Sequence, residues 1–110
     1  MSAWYSGTLT IAALATESEE LDLTDSGGSR WKKNLGIRAP ATLPETVTVH
    51  LAEATGGTYA ALQSGGGDIT LPANRWTNVA DLTEGAMKLV AGSPVAVARV
   101  FTIRGAMAKK

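Results

Sequence analysis

Cysteine is absent from this chain of 110 residues, which excludes disulfide bridges and thiolate metal sites. No apolar run approaches the roughly 20 residues that a membrane-spanning helix requires. Neither sign of charge is in excess, because ten basic residues offset ten acidic ones. Nucleic-acid binding usually needs a basic excess, so we expect neither a nucleic-acid nor a membrane partner. The first five residues also lack the basic region and apolar run of a secretory signal, which predicts a protein made in the cytoplasm.

The residues that catalysis needs are equally scarce. The single histidine, His50, has no serine or aspartate near it in a recognisable catalytic motif, so we expect it to face solvent or an interface. Five of the ten acidic residues crowd into residues 17–25, a run more typical of a solvated face than of two carboxylates converging in a cleft. That run lacks the spacing of a calcium loop, and the glycines at 27–28 and 65–67 lack the lysine and helix of a phosphate-binding loop. We therefore expect no enzyme activity, no metal and no cofactor.

Short runs of alternating apolar and polar residues fill most of the chain. In the clearest run, Val47, Val49 and Leu51 alternate with threonines and His50, a pattern typical of a half-buried strand. Similar runs occur at residues 7–14, 21–24, 35–37, 59–62, 69–71, 87–90 and 97–104. With about eight short strands and no long helical pattern, the chain is predicted to be all-β. The predicted fold is a single antiparallel β-sandwich, jelly-roll-like in its arrangement.

Glycines mark the predicted turns and no feature marks a domain boundary. Residues 55–58, with two adjacent glycines, and residues 65–67 are both interpreted as turns. Residues 72–82 are interpreted as irregular, with room for one helical turn. Without an internal repeat, linker or low-complexity tract, residues 1–110 are predicted to form one domain with short N- and C-terminal arms.

The order of motifs from Val47 to Ile103 is familiar. After the first strand come Ala54-Thr55-Gly56-Gly57-Thr58-Tyr59, Ile69-Thr70-Leu71, residues 76–82, Met87-Lys88-Leu89-Val90-Ala91-Gly92-Ser93 and Arg99-Val100-Phe101-Thr102-Ile103. This order resembles a group of small proteins encoded among the head and connector genes of tailed phages. They share a GGT(T)Y hairpin, a KLVSGT-like strand and a final R-x-F-T strand. The resemblance covers about half of the chain and implies a β-sandwich virion component, often a capsid decoration protein.

Charge order and the tryptophans indicate where a partner would bind. The acidic run is followed by a basic block at residues 30–38. This block either docks on another chain by charge complementarity or pairs with the acidic run across adjacent strands. Trp4 lies near a terminus, and Trp31 lies in what we interpret as a basic loop. Tryptophans in such places are interface anchors or, as a second interpretation that includes Trp76, platforms for sugar rings. The predicted protein interface consists of Trp4, Tyr5, Arg30, Trp31 and Lys32.

The functional hypothesis is a structural virion protein of a tailed phage. The favoured role is a capsid decoration or cement protein on the capsid surface, which binds the major capsid protein and copies of itself and so stabilises the shell. One alternative is a neck, collar or tail component. Another is a carbohydrate-binding adhesion module, for which the ligand would be a glycan.

Overall fold

The computed structural model describes residues 3–24, 30–64, 66–79, 82 and 85–109. The described residues form ten β-strands and no helix, as the period-two alternation predicts. The strands are β1 (Ala3–Ile11), β2 (Leu21–Asp22), β3 (Arg30–Arg38), β4 (Val47–Ala52), β5 (Ala60–Ala61), β6 (Gln63–Ser64), β7 (Gly67–Asp68), β8 (Trp76–Val79), β9 (Ala86–Ala91) and β10 (Arg99–Lys109).

Two four-stranded antiparallel sheets make up the sandwich. Sheet I has the order β1-β10-β3-β8 and sheet II the order β2-β9-β4-β5, while β6 and β7 form a separate small hairpin. When that hairpin is left out, eight strands remain. The first pairs with the last (β1 with β10), the second with the seventh (β2 with β9), the third with the sixth (β3 with β8) and the fourth with the fifth (β4 with β5). This is the pairing of a jelly roll. The predicted all-β sandwich, including its jelly-roll arrangement, is confirmed.

The core lies between the two sheets and is built from the apolar sides of the alternating strands. Val47 and Val49 of sheet II and Phe101 and Ile103 of sheet I are all 0% exposed. Leu51, on the same side of β4, is 8% exposed. The prediction that these two runs face each other across the core is therefore confirmed.

One strand lies where the sequence predicts irregular chain. Residues 76–79 form β8, which pairs with Leu35–Arg38 of β3 and completes sheet I. Val79 points into the core, where it is 1% exposed, while Trp76 is 50% exposed. The prediction of an irregular segment or helical turn is wrong at β8, because this short segment hydrogen-bonds to the edge of β3 as an antiparallel strand. Conversely, the strand predicted at residues 69–71 is reduced to a bridge between Thr48 and Thr70.

The two ends of the chain pair with other strands. Ala3 pairs with Met107 at one end of β1, and Ile11 pairs with Arg99 at the other. Farther along β10, Lys109 pairs with Arg30 and Ala108 pairs with Trp31. The terminal segments predicted as arms therefore belong to sheet strands, since β1 begins at Ala3 and β10 ends at Lys109. Trp31, predicted in a loop, lies in strand β3, because the end of β10 provides it with a hydrogen-bonding partner.

Candidate functional site

A shallow hollow of about 460 Å³ lies on sheet I, across β10, β3 and β8. Residues that line it include Asn34, Gly36, Trp76, Asn78, Arg104 and Gly105. The strand register explains how they meet, since Arg104 pairs with Gly36 and Gly36 pairs with Asn78. Three neighbouring strands thus place a guanidinium, a residue without a side chain and an amide in one row.

Trp76 leans over Gly36 within this hollow. A Cβ atom at Gly36 would lie only 3.3 Å from Cε3 of the indole ring. A larger residue would therefore push the ring away. Trp76 keeps half of its surface exposed, so the glycine holds an aromatic ring low over the sheet while leaving it accessible.

The charge of this hollow is positive. Arg104 is exposed and has no ion pair with any residue in the described part of the chain. No carboxylate is found among the described residues that line the hollow. A second arginine, Arg38, sits in the next cross-strand row opposite Trp76, where its Nη2 donates a hydrogen bond to Oδ1 of Asn74 at 3.1 Å. Such a surface favours an anionic or polar ligand over a cationic one.

Strand β1 is the long edge strand of the molecule. It pairs with β10 on one side, and its other side has no partner strand along Ala3–Leu9 among the described residues. The remaining edge strands are much shorter, with four residues in β8 and two each in β2 and β5. The nine residues of β1 include no charge and no proline, the features that usually protect an edge from pairing with another chain.

The direction of the β1 backbone groups follows from one hydrogen bond. The Thr10 amide points away from β10, because it donates to Oε1 of Glu19 at 2.8 Å. In an antiparallel strand the N–H and C=O of one residue point to the same side, and that side alternates along the strand. The backbone groups of Thr8 and Ser6 are therefore also directed to the open edge.

The strand register brings the predicted interface residues together at one end of sheet I. Trp4 pairs with Ala106 of β10, and Trp31 pairs with Ala108 of the same strand. Two segments that are distant in the sequence thus flank the end of β10. The side chains of Trp4, Arg30, Trp31 and Lys32 lie outside the described part of the chain. Tyr5 is half-buried against the core, and its pKa is raised by burial and by the nearby Glu19 carboxylate.

The acidic run is anchored to the strands of sheet II. Oε2 of Glu20 accepts hydrogen bonds from the Tyr59 hydroxyl at 2.6 Å and from the Gly56 amide at 2.7 Å. These two bonds lower the pKa of Glu20. Glu17 forms an ion pair with Lys88 at 3.1 Å, and the same ammonium lies 4.7 Å from the centre of the Tyr59 ring. These contacts clamp the chain before β2 onto the β4–β5 turn and β9, which is a structural role.

A second ion pair secures the start of β10. Nε and Nη2 of Arg99 donate to the two carboxylate oxygens of Glu45 at 3.1 and 3.2 Å. The side chains are 9% and 8% exposed, respectively. Two parallel bonds of this kind are stronger than single neutral hydrogen bonds. The hydrogen bonds from Arg99 are the main cause that holds the pKa of Glu45 below its usual value of 4.5.

This pair predicts a defined acid sensitivity. A carboxylate with a lowered folded-state pKa contributes stability above its unfolded pKa, and that contribution is lost as the pH falls through the folded-state pKa. Glu45→Gln should therefore melt at a lower temperature than the natural protein at pH 7. The difference between the two should shrink as the pH falls below about 4.5. Thermal melts at a series of pH values measure this, and a difference that stays constant from pH 7 to pH 3 would contradict it.

The remaining polar candidates form no reactive cluster within the described residues. His50 is half-buried, and its Nε2 lies 2.9 Å from the Thr48 hydroxyl. In the part of the chain that the structure describes, no three histidine, aspartate or glutamate side chains are grouped closely enough to hold a metal ion. None of the described residues belongs to a helix that is long and apolar enough to cross a membrane.

Sequence reasoning named Trp76 as one possible sugar platform but missed the site around it. Asn34, Gly36, Asn78 and Arg104 come from three strands, and no local motif connects them. No local pattern marks the strand that carries Trp76 either. Residues 76–79 do not alternate apolar and polar side chains in the sequence, and their alternation between exposed and inward positions appears only in the structure.

No model of a known protein family matches the chain, and no curated protein matches it in sequence. Among solved structures, the chain is similar to the SPBc2 prophage-derived protein YomS, with 14% identity and a TM-score of 0.59. The match covers 98% of this chain and 97% of that one. The chain is also similar to part of the IMPa metallopeptidase, solved in complex with T-antigen, with 16% identity and a TM-score of 0.54. That match covers 99% of this chain but 13% of the metallopeptidase. At these identities the likeness establishes the fold.

Proposed function

We propose that this protein is a structural virion component of a tailed phage, without enzymatic activity. Its favoured role is a decoration or cement protein that binds the major capsid protein and copies of itself on the capsid surface. The prophage origin of YomS supports this proposal, as does the extent of that match, because the jelly roll makes up nearly the whole of both chains. A neck, collar or tail component is the alternative, and it would use the same surfaces.

The observation that carries the proposal is the open edge of β1. A long, uncharged edge strand is a liability for a protein that remains alone in solution, because it invites pairing with other chains. A protein that works inside an assembly can use that edge. A strand from a neighbouring subunit would hydrogen-bond to the outward backbone groups of Thr8 and Ser6, as in strand addition.

The end of sheet I extends this edge into a larger surface. Specific interfaces bury on the order of 1,000 Å² or more in total, which one strand edge does not provide. Trp4 lies on β1 itself, and Trp31 lies two strands away, which is about 10 Å across the sheet. The two residues are also offset along the sheet, since they pair with Ala106 and Ala108 of β10. Contacts here and along β1 would join neighbouring shell subunits, which lowers the free energy of the assembled lattice relative to its separated parts.

Thr8→Pro tests the edge directly. Proline removes an outward N–H without breaking the pairing of β1 with β10, since the Thr8 amide points away from β10, and proline is tolerated in edge strands of this kind. Added to particles that lack the protein, Thr8→Pro should bind at least about tenfold more weakly, because one hydrogen bond and the approach of the partner strand are both lost. Bound copies are measured by gel densitometry.

Thr8→Val is the matched control. It removes the same hydroxyl but keeps the amide, so its binding to the particles should equal that of the natural protein. Circular dichroism should show both variants folded. Undiminished binding of folded Thr8→Pro would refute the use of this edge.

Trp31→Ala tests the end of sheet I. Truncating a well-packed interface tryptophan commonly costs about 2 kcal/mol or more, which is roughly thirtyfold in affinity. Binding of this variant to the same particles should fall accordingly. Lys32→Ala should have a smaller effect that fades as salt rises. Deleting residues 1–5 would not test this end of sheet I separately, because it would also remove Ala3 and Tyr5 of β1, which pair with β10. If Trp31→Ala binds the particles as well as the natural protein does, this end of sheet I is not part of the interface.

Locating bound copies on whole particles separates the two virion roles. Density over the capsid lattice supports the decoration protein, and density at the neck or tail supports the alternative.

A further inference from the structure

The hollow around Trp76 lies on β10, β3 and β8. It therefore extends toward the β8 edge of sheet I, which is the edge farthest from β1. Its residues have no role in the proposed strand addition. They also add nothing evident to the core, since Trp76, Asn78 and Arg104 are all exposed. An exposed tryptophan therefore lies next to an amide and to an arginine that forms no ion pair with the described residues, and this arrangement calls for an explanation.

We propose that this hollow is a binding site for a saccharide that carries a carboxylate. Ligand sites combine apolar surface with a few converging polar groups that set orientation, and this hollow has both. The exposed indole of Trp76 offers a flat apolar surface for the C–H face of a sugar ring. Asn78 offers an amide group to ring hydroxyls, since an amide has both donors and an acceptor.

The row of Arg104, Gly36 and Asn78 sets the width of the site. Adjacent strands lie about 4.8 Å apart, so the α-carbons of the two outer residues are about 10 Å apart. Gly36 between them has no side chain, so the indole of Trp76 can lie over it, with Cε3 3.3 Å from the position a Cβ atom would take. The glycine thus brings the aromatic ring next to Asn78 and Arg104.

Arg104 determines the charge of the ligand. Its guanidinium is exposed at the hollow, and the described lining residues include no carboxylate to neutralise it. A guanidinium binds a carboxylate through two parallel hydrogen bonds. An acidic sugar therefore satisfies the stacking surface, the amide and the charge together, whereas a neutral sugar leaves the arginine without a partner.

Two matched probes test this site. One is an oligosaccharide of β-1,4-linked glucuronic acid, and the other is a β-1,4-linked glucose oligosaccharide of equal length, which differs in having a hydroxymethyl group in place of each carboxylate. Titration is followed by amide and indole signals in nuclear magnetic resonance spectra. The acidic probe should shift the signals of Gly36, Asn78 and Arg104, and should bind at least about tenfold more tightly than the neutral probe.

Three variants assign the effect to residues. Trp76→Ala should lose binding of both probes. Arg104→Gln should weaken the acidic probe about tenfold and leave the neutral probe unchanged, since it removes the charge and keeps a polar side chain. Thr102→Gln, on the outer side of β10 in the row of Arg38 and not among the residues that line the hollow, should bind both probes normally.

The proposal is overturned if the acidic probe shifts no signal at this face, if both probes bind equally, or if Trp76→Ala binds as the natural protein does. Binding of Trp76→Ala to the phage particles separates this site from the proposed assembly role. Normal occupancy with lost sugar binding supports a distinct site. Lost occupancy would make the hollow a protein interface and overturn the saccharide assignment, without refuting the virion role.

Discussion

Val49→Asp is expected to abolish soluble folding. The Val49 side chain is 0% exposed, and the core cluster that surrounds it is entirely apolar. Both backbone groups of Val49 also form hydrogen bonds. Its amide donates to the Ile69 carbonyl at 3.2 Å, and its carbonyl accepts from the Leu62 amide at 2.8 Å. Within the described residues, the buried cluster that includes Val49 contains no cation with which an aspartate could pair. Burying an unpaired charge costs several kcal/mol, which consumes most of the 5–15 kcal/mol by which a typical domain is stable.

The measurement compares soluble yield and thermal melts with those of Val100→Asp. This control makes the same substitution at a valine that is 48% exposed on the outer side of β10, where surface changes usually alter stability by about 0.5 kcal/mol or less. A soluble Val49→Asp protein with a normal melt would show that the inward face of β4 has been misassigned.

Gly105→Val is expected to lower the free energy of unfolding by about 3 kcal/mol or more. Gly105 pairs with Leu35 of β3, next to the irregularity in register between Ala106 and Met107. A Cβ atom here would collide with the Asn34 carbonyl oxygen and lie 2.7 Å from Cδ2 of Leu35. Forcing extra atoms into packed structure commonly costs about 1–3 kcal/mol. We expect the upper end or more, because part of the obstacle is backbone and valine adds two further methyl groups.

Strand propensity alone predicts the opposite sign for this substitution. Valine is favoured over glycine in strands, on a scale that spans about 1 kcal/mol. Gly67→Val is the matched control, since nothing lies within 4 Å of a Cβ atom at Gly67. Urea unfolding should show Gly67→Val equal to the natural protein or slightly more stable. Equal stability of Gly105→Val would mean that β3 and β10 separate at little cost.

The candidate sites differ in how far local sequence could predict them. Trp4 and Trp31 stood out because they lie outside the apolar alternation, and the register brings both to one end of sheet I. The sequence could not show that β1 is an edge strand. Its nine residues have the pattern of any strand, and only the pairing order of the sheet distinguishes an edge strand from a central one. Glu45 and Arg99 are 54 residues apart, so their pairing depends on the fold and not on local sequence.

By itself, the sequence determined the all-β class, the inward faces of β4 and β10, and the turn between β4 and β5. These follow from neighbouring residues, because the two-residue period assigns each side chain to a face and the glycines permit a tight turn. Only the tertiary structure decided that β1 is an edge and that residues 76–79 form a strand. It also decided that Trp76 lies over Gly36. The physical reason is that strand pairing joins segments far apart in the chain, so the neighbours of Gly36 and Gly105 are set by register across the sheet.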